Sequence, residues 1–169
     1  MQIRRDLERA QEILPDLLDQ PDIWRSVIIE SAPPYMERLW TPWEDKRITI
    51  HRTYGLEPEE RSIYHPHPWR FAVLLLDGAY RMVFGTGPGK EAPTPLGDVV
   101  LCPGTSYAIE SIDFWHALYP LGDSILSLMV TAPRTDRWSP PNTVPKRPVP
   151  PAVCREILAE TKAALLLHH

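Results

Sequence analysis

Proline is the residue type that most restricts how this chain can fold, because it occupies 20 of the 169 positions. A proline inside a helix removes a backbone hydrogen bond and clashes with the preceding turn, and in a central strand it removes a ladder donor. Prolines at this density disfavour a mainly helical protein and favour short strands joined by shaped turns. The chain is long enough for one domain with a substantial core.

Two histidines, His65 and His67, stand at the centre of the sequence, separated by Pro66 and followed by Pro68. In a β-strand, residues i and i+2 point to the same face, so both imidazoles would face one way. The prolines stiffen this backbone and favour a rim or bulge position over a central ladder. Two neighbouring imidazoles form half of a metal site, since neutral imidazole is the commonest side-chain ligand. The alternative is a surface loop with two incidental histidines.

An apolar run follows the histidines and ends at the turn signal Asp77–Gly78. Residues 80–84 then alternate between apolar and polar, which predicts a β-hairpin across this turn. Further short strands are predicted at 47–54, within 96–104 as a buried strand, and at 107–112, 114–119 and 124–131. Several short strands with glycine and proline between them indicate a sandwich or a barrel.

Helices are predicted at both ends of the chain. Apolar residues recur at helical spacing from Arg4 to Leu18, although Pro15 should kink or end that helix. A second short helix is predicted to start at Asp22, and a third covers Val153 to Leu167. We expect these helices to cover one face or one edge of a sheet.

A proline-rich segment at 140–151 predicts an extended, semi-rigid strap over the barrel, or a ligand for a domain that binds polyproline. The chain therefore divides into a helical N-terminal extension (1–46), a β-barrel (47–138), and a Pro-rich strap with a C-terminal helix (139–169).

The composition argues against several classes of partner. The formal net charge is −4, so nothing indicates nucleic acid binding, and no apolar run approaches the roughly 20 residues of a membrane span. Cys102 and Cys154 form no C-x-x-C pair, and the N-terminus lacks an apolar signal region, so we expect reduced thiols in a cytoplasmic protein. The final His168–His169 resembles the remnant of an expression tag and is left out of the site.

These motifs resemble the cupin superfamily of small antiparallel jelly-roll barrels. Cupins carry a first motif of His-x-His, a Glu and then a Gly, and here His65, His67 and Gly78 stand in that register. Their second motif opens with Gly, five residues and Pro, which Gly97 to Pro103 fits. The resemblance covers about residues 47–133 and implies a mainly β fold, an antiparallel jelly-roll barrel with flanking N- and C-terminal α-helices.

Within that superfamily the chain is most similar to a branch with a His-x-His-Pro-Trp motif, a Gly-x-Tyr turn and a late Thr-Gly-Pro-Arg. Here these read His65-Pro66-His67-Pro68-Trp69, Gly78-Ala79-Tyr80 and Thr131-Ala132-Pro133-Arg134.

The resemblance also implies a third histidine ligand. Many cupins have a glutamate ligand where this chain has Phe71 or Ala72, and Ala108 stands where the third histidine would be without an insertion. Counting back from Thr131, His116 falls where the related branch places its ligand, which assumes an insertion before it. The implied metal site is His65, His67 and His116. The alternative for His116 is a buried, hydrogen-bonded histidine without a metal.

The strict alternation of Arg47 to Tyr54 predicts a half-buried strand and puts His51 and Arg52 on opposite faces, so that one of them should point into the barrel. An inward Arg52 would bind a substrate carboxylate through its two-pronged guanidinium, and an inward His51 would act as a base or extra ligand. We assign both as candidate catalytic residues. The candidate pocket residues are Trp69, Tyr80 and Tyr107, with Phe71 beside them, and Glu110 is a candidate carboxylate near the site.

A three-histidine site leaves open positions on an octahedral metal. It resembles the sites of thiol dioxygenases and some diketone-cleaving dioxygenases among cupins, and also zinc sites suited to Lewis-acid work. Fe²⁺ is the favoured cofactor, with Zn²⁺, Mn²⁺ and Ni²⁺ open.

Four functions follow as hypotheses. The favoured one is a metal-dependent enzyme, a non-haem iron oxygenase of dioxygenase type acting on a small organic molecule. The second is a cupin that binds or senses a small ligand, and the third is a zinc or manganese isomerase or hydrolase. The fourth is an interaction protein whose barrel is an inert scaffold. We expect a small-molecule substrate, no nucleic acid or membrane partner, and a homodimer in contact through the Val153–Leu167 helix.

Overall fold

The computed structural model describes residues 2–30, 34–57, 60–136 and 147–167. Helix α1 (Gln2–Leu18) opens the chain, a short 3₁₀ helix spans Pro21–Ile23, and helix α2 (Pro151–Leu167) closes it. Between them lie β1 (Arg25–Ile29), β2 (Met36–Trp43), β3 (Lys46–Tyr54), β4 (His65–Pro66), β5 (Phe71–Asp77), β6 (Tyr80–Thr86), β7 (Gly97–Leu101), β8 (Ser106–Ile109), β9 (Phe114–Pro120) and β10 (Ser124–Thr131). No described helix combines the length and hydropathy needed to cross a membrane.

The strands form two antiparallel sheets. The large sheet has the order β1-β2-β3-β10-β5-β8, and the small sheet has the order β4-β9-β6-β7. Residues from both sheets pack together, as Leu75 of β5 does with Tyr80 and Met82 of β6, so the sheets face each other. A mainly β, antiparallel fold with helices at both termini confirms the predicted fold class.

The largest apolar core lies between the large sheet and the two helices, outside the space enclosed by the sheets. Alternate residues of β3, β5 and β10 face the helices, because successive side chains of a strand point to opposite faces. These helix-facing residues are Ile48, Ile50, Ala72, Leu74, Leu76, Leu126, Leu128 and Val130, and they pack with Leu7 and Leu14 of α1 and with Ile157 and Leu158 of α2. The opposite face of the large sheet is therefore free to carry polar side chains inside the barrel.

Helix α1 continues through Pro15 to Leu18, so the proline does not end it. One face of the helix buries Leu7, Ala10 and Leu14 against the large sheet. This packing holds the last turn in place, since tertiary burial and not local propensity supplies most helix stability.

The short helix predicted from Asp22 is wrong. The chain makes only the 3₁₀ helix there and then enters strand β1, whose Val27, Ile28 and Ile29 are β-branched and favour extended backbone. β1 pairs with β2 and extends the large sheet beyond β3. The division of the chain into three segments stays a prediction, although residues 25–43 consist mostly of strand.

The hairpin predicted across Asp77–Gly78 is also wrong, although the turn exists. β5 lies in the large sheet and β6 in the small one, so the turn carries the chain from one sheet to the other. Gly78 has φ +71°, and a Cβ there would lie 2.5 Å from the Ser124 carbonyl oxygen. The crossing therefore needs glycine for both its backbone conformation and its close contact.

Strand β7 was expected to be buried, but it forms one edge of the small sheet. Val99 is 39% exposed and Val100 is 53% exposed. A run of valines favours a strand but does not say whether that strand has neighbours on both sides.

Most of the predicted Pro-rich strap, and the pair His168–His169, lie outside the described residues. At the described end of the strap, Arg147 forms a β-bridge with Ile28. Val149 is buried, and its N–H donates to the Ser26 hydroxyl at 3.1 Å. This end of the segment therefore lies against β1 and leads directly into α2.

Candidate metal centre

Two neighbouring strands of the small sheet bring three histidines together. His65 of β4 pairs directly across from His116 of β9, and residues so paired have Cβ atoms roughly 5 Å apart. His67 lies two residues beyond His65, just past the end of β4. One ring nitrogen from each of the three can be chosen so that all lie within 4.8 Å of one another. The structure thus brings together the three histidines that the sequence assigned to a metal.

Hydrogen bonds orient the rings. The Nδ1–H of His65 donates to the Ile63 carbonyl oxygen at 2.9 Å, since a carbonyl can only accept, and this leaves the Nε2 lone pair of His65 free. The Nε2 atoms of His67 and His116 lie 2.8 Å apart. Nδ1 of His116 is buried and has no hydrogen-bond partner among the described residues.

Burial keeps these imidazoles neutral. It lowers the pKa of His67 well below its ordinary value, and the neighbouring His65 and His116 lower that pKa further. The pKa of His116 is also lowered well below its ordinary value, by burial first and by His65 second. Burial lowers the pKa of His65 in the same direction. Neutral imidazole is the form that binds a metal, so no proton needs to be displaced near neutral pH.

The residues present fit a divalent metal ion. Two nitrogens bound at adjacent positions, each about 2.1 Å from an ion, lie about 3 Å apart, close to the separation of the His67 and His116 Nε2 atoms. Three neutral imidazoles suit iron, zinc, copper and nickel and are less suited to magnesium or calcium.

The departures from the usual cupin ligand pattern have structural consequences. The ring of Phe71, near the position of the usual glutamate ligand, lies 5.1 Å from His67 and 5.7 Å from His116, centroid to centroid. Ala108 pairs with Ala72 in the large sheet and packs towards the helix-side core, which leaves the third ligand position to His116.

No carboxylate joins the three histidines within the part of the chain that the structure describes. Glu110 was a candidate, and its Oε1 atom is buried without a described hydrogen-bond partner, but the residue is not part of the cluster. Among the described residues, the candidate metal centre therefore consists of three histidines.

The histidines line a cavity of about 100 Å³, which we call the metal section of the barrel interior. Tyr80 and Tyr107 line it, as predicted, and the Tyr80 hydroxyl donates to that of Tyr107 at 2.8 Å. Burial raises the pKa of Tyr80 to about 12 and raises that of Tyr107 well above its ordinary value. Both hydroxyls stay protonated near neutral pH, and Tyr107 keeps its own proton to donate.

Trp69 lies beside His67, as strand parity predicts, with ring centroids 5.5 Å apart. It lines a different cavity, of about 300 Å³, which we call the cationic section for the basic side chains described below. Its Nε1–H is buried and has no acceptor among the described residues. The prediction that Trp69 forms pocket wall therefore applies to the cationic section and not to the metal section.

His51 is the residue of the His51–Arg52 pair that points into the barrel. It lines the metal section, and its Nε2 accepts a hydrogen bond from Nε of Arg38 at 2.8 Å. Burial lowers the pKa of His51 well below its ordinary value, and the Arg38 charge adds to this effect. The contact with Arg38 occupies the Nε2 lone pair, so His51 is placed to orient Arg38 and is not part of the three-histidine cluster.

Arg52 points to the opposite face, so it does not have the inward orientation on which its predicted role as a ligand for a substrate carboxylate depends. Even-numbered residues of β3 face the helices, so Arg52 meets α2 and not the interior. Its Nε donates to Glu37 Oε2 at 2.8 Å, and its Nη1 pairs with Glu156 and Glu160 of α2. These ion pairs attach α2 to the sheet.

Arg38 is the site residue that the sequence reasoning missed. It lies on β2, directly across from His51 in register, and it lines both cavities. Burial lowers its pKa to about 10, and the nearby Arg47 charge contributes. Strand parity along Met36, Arg38 and Trp40 was the available signal, but the segment was assigned to a helical extension.

Comparison with known proteins supports the fold. No protein-family model matches the chain, and no curated protein sequence matches it. Among solved structures, it is similar to the hydroxypropylphosphonic acid epoxidase from S. wedmorenis (13% identity, TM-score 0.50, 66% of this chain and 56% of that one). A structure of FeII HppE matches at 15% identity and TM-score 0.51, over 66% of this chain and 57% of that one.

KdgF from Halomonas sp. is also similar, at 14% identity and TM-score 0.47, over 64% of this chain and 89% of that one. The chain spans just over half of the length of the epoxidase structures. Identities this low establish fold and not activity. The protein has a cupin-like β-barrel fold with helices at both termini.

Proposed function

We propose that this chain is a metal-dependent enzyme of the cupin superfamily, in the branch with a His-x-His-Pro-Trp motif. It acts as a non-haem iron oxygenase, of dioxygenase type, on a small organic molecule. The observation that carries the proposal is the convergence of three neutral imidazoles on one cavity inside the barrel. Support for Fe²⁺ comes from the structures of similar fold, two of which are described as iron(II) forms of HppE.

His65, His67 and His116 would hold the ion. With a ferrous ion held by these residues, the site would have one-electron redox chemistry available. The Ile63 carbonyl holds the His65 ring in the orientation that leaves Nε2 free, and Phe71 packs against the other two rings. This packing limits ring rotation and keeps the donor set in place.

The remaining residues of the metal section would control water and protons. Apolar side chains, among them Val73 and Met129, line it and restrict water around the reacting atoms. The Tyr107 hydroxyl, protonated near neutral pH, can donate a hydrogen bond to a substrate oxygen. The neutral His51 holds the Arg38 guanidinium at the edge of this section.

Anaerobic reconstitution with Fe²⁺ followed by oxygen-consumption measurements tests the proposal. We expect one ion per chain and oxygen uptake that depends on added substrate from a panel of small organic acids. His67→Ala should lose both the ion and the uptake, whereas the control Arg155→Met, on the exposed face of α2, should keep both. Oxygen uptake that survives His67→Ala would overturn the assignment.

A zinc-dependent hydrolase or isomerase is the second candidate. The observation that favours it is the absence of a carboxylate from the cluster among the described residues, since three imidazoles plus water are a common catalytic zinc site. If the zinc-loaded protein turns over substrate without consuming oxygen, this candidate is favoured over the oxygenase. Metal binding without turnover would select the ligand-binding function.

We also propose a homodimer in the cytoplasm. The predicted contact through α2 has little apolar surface left, because Ile157, Leu158 and Leu165 already pack on the chain's own sheet and only Leu166 and Leu167 are strongly exposed. Sizing with light scattering at micromolar concentration tests the oligomeric state, and a monomeric mass would refute it.

A further inference from the structure

The barrel interior has two sections that meet at one arginine. Along β2, Met36 lines the metal section, Trp40 lines the cationic section, and Arg38 between them lines both. Along β3, His51 and Thr49 follow the same division. Alternate residues of a strand share a face, so these side chains form one continuous inner surface with Arg38 at the boundary.

The cationic section carries an excess of positive charge. Among the described residues, its walls include the basic side chains Arg38, Lys46 and Arg47 and one acidic side chain, Asp45. Lys46 pairs with that carboxylate at 2.6 Å, which neutralises it. Arg38 and Arg47 remain as positive charges in this section, and a low-dielectric wall strengthens their attraction for an anion.

Arg38 has no carboxylate partner among the described residues. Its Nε donates to His51 Nε2, and its other hydrogen bond within the described part of the chain is a weak one from Nη2 to Met36 Sδ at 3.9 Å. Arg52, on the other face of the same sheet, pairs with Glu37 and two further glutamates. A charged side chain that is partly removed from water is ordinarily paired, because an unpaired charge there costs free energy. The terminal nitrogens of Arg38 therefore form a site where an anion would be stabilised.

A second donor in the same cavity lacks an acceptor. The indole Nε1–H of Trp69 is buried in the wall of the cationic section and unpartnered among the described residues. Its ring also contacts His67 of the metal centre. An oxyanion in this cavity would supply the acceptor that the indole lacks and the counter-charge that Arg38 lacks.

We propose that the substrate is a small organic anion whose carboxylate or phosphonate group binds Arg38 at the boundary of the two sections. The rest of the molecule extends into the metal section. The Nη atoms of Arg38 match two oxygens of such a group, and His51 is a positioning residue that holds the guanidinium through Nε. This inference deepens the proposed function and rests on the three-histidine centre as the reacting site.

The test is calorimetric binding to the zinc-loaded protein, which requires neither iron nor oxygen. The probes are propionate, ethylphosphonate and the neutral propionamide. We expect at least one anion to bind and propionamide to bind at least tenfold more weakly; the anion that binds more tightly identifies the class of head group.

Arg38→Met should lower the affinity for the anion by about 10- to 100-fold, because charge-assisted hydrogen bonds are lost. Arg155→Met, on the exposed face of α2, is the matched control and should bind as the unmodified chain does.

Two further measurements guard against misfolding of the variant. Arg38→Met should raise the urea midpoint of the ligand-free protein, because it removes a half-buried charge that has no carboxylate partner among the described residues. Trp69→Phe keeps an aromatic ring, removes the N–H donor, and should weaken anion binding by a smaller factor. Equal affinity for propionate and propionamide, no binding of either anion, or full affinity in both variants would overturn the inference. Anion binding without oxygen uptake by the iron form would keep this inference and reject the oxygenase.

Discussion

Replacement of Arg52 by methionine should destabilise the fold without emptying the metal centre. Nε of Arg52 donates to Glu37 Oε2 at 2.8 Å, and the Tyr54 hydroxyl donates to the same oxygen at 2.9 Å. Glu37 is only 6% exposed. Methionine keeps the apolar stem and removes the charge, so the carboxylate would stay buried with a single hydroxyl donor.

The expected magnitude follows from that burial. Removal of one partner from a buried ion pair costs about 3–5 kcal/mol, a large share of the roughly 5–15 kcal/mol that stabilises a typical domain. With a urea dependence near 2 kcal/mol per M, the unfolding midpoint should fall by about 2 M. Loss of the ion pairs with the α2 carboxylates should add little to this destabilisation, because Glu156 is 57% exposed and Glu160 is 44% exposed.

Urea unfolding followed by circular dichroism measures these effects, with metal content determined in parallel. Glu156→Gln is the matched control on the exposed side of the same network and should cost less than about 1 kcal/mol. The double variant Arg52→Met with Glu37→Leu should recover much of the loss, since it leaves no unpaired charge. An unchanged midpoint in Arg52→Met together with lost binding of organic anions would refute the reasoning and return Arg52 to the substrate site.

Three further predictions concern the site and the sheet crossing. His67→Ala should lose stoichiometric metal by elemental analysis while the barrel stays folded, whereas His51→Ala should keep the ion, because His51 is hydrogen-bonded to Arg38 and lies outside the cluster; full metal content in His67→Ala would contradict the site. Because burial holds the pKa of His67 and His116 below the unfolded value of about 6.5, the unfolded chain takes up protons that the folded chain excludes. Urea titrations of the metal-free protein, in the presence of a chelator, should therefore show that the free energy of unfolding decreases as the pH falls below about 6.5, by about 1.4 kcal/mol per pH unit for each imidazole. A free energy of unfolding that does not change with pH would contradict this. Gly78→Ala should cost more than about 1 kcal/mol in the same assay, since its φ is +71° and its Cβ would meet the Ser124 carbonyl; an unchanged midpoint would argue against the strained crossing.

The first two candidate metal ligands were accessible to sequence reasoning because strand parity is a local property. His65 and His67 share a face by their spacing alone, and the prolines around them favour a rim. His116 lies 49 residues from His67, so no local pattern connects them, and the assignment came from the resemblance to cupins. The structure confirms that these residues converge, and the register of β4 on β9 is the reason.

Parity alone cannot say which face of a strand is inside. The alternation of β3 correctly separates His51 from Arg52, but the choice between them depends on which face the helices cover. That is a tertiary property. Helices α1 and α2 pack on the face of β3 that carries its even-numbered residues, where Arg52 forms ion pairs with Glu37 and the α2 carboxylates.

Turn chemistry shows the same limit. Asp77–Gly78 correctly indicates a reversal of the chain, but a hairpin and a crossing between facing sheets place similar demands on the turn residues.

Arg38 was missed because Pro42 and the mixed residues of β2 hide the alternation of that strand, and only its pairing with β3 reveals it.

Iron X-ray absorption on anaerobically reconstituted protein tests the central claim most directly, since it reports the ligands of the ion themselves. We predict one iron per chain with the scattering pattern of three imidazole rings, which falls to background when His65, His67 and His116 are replaced together by alanine. Iron bound without imidazole scattering, or an unchanged spectrum in the triple variant, would contradict the claim that these histidines form the metal centre.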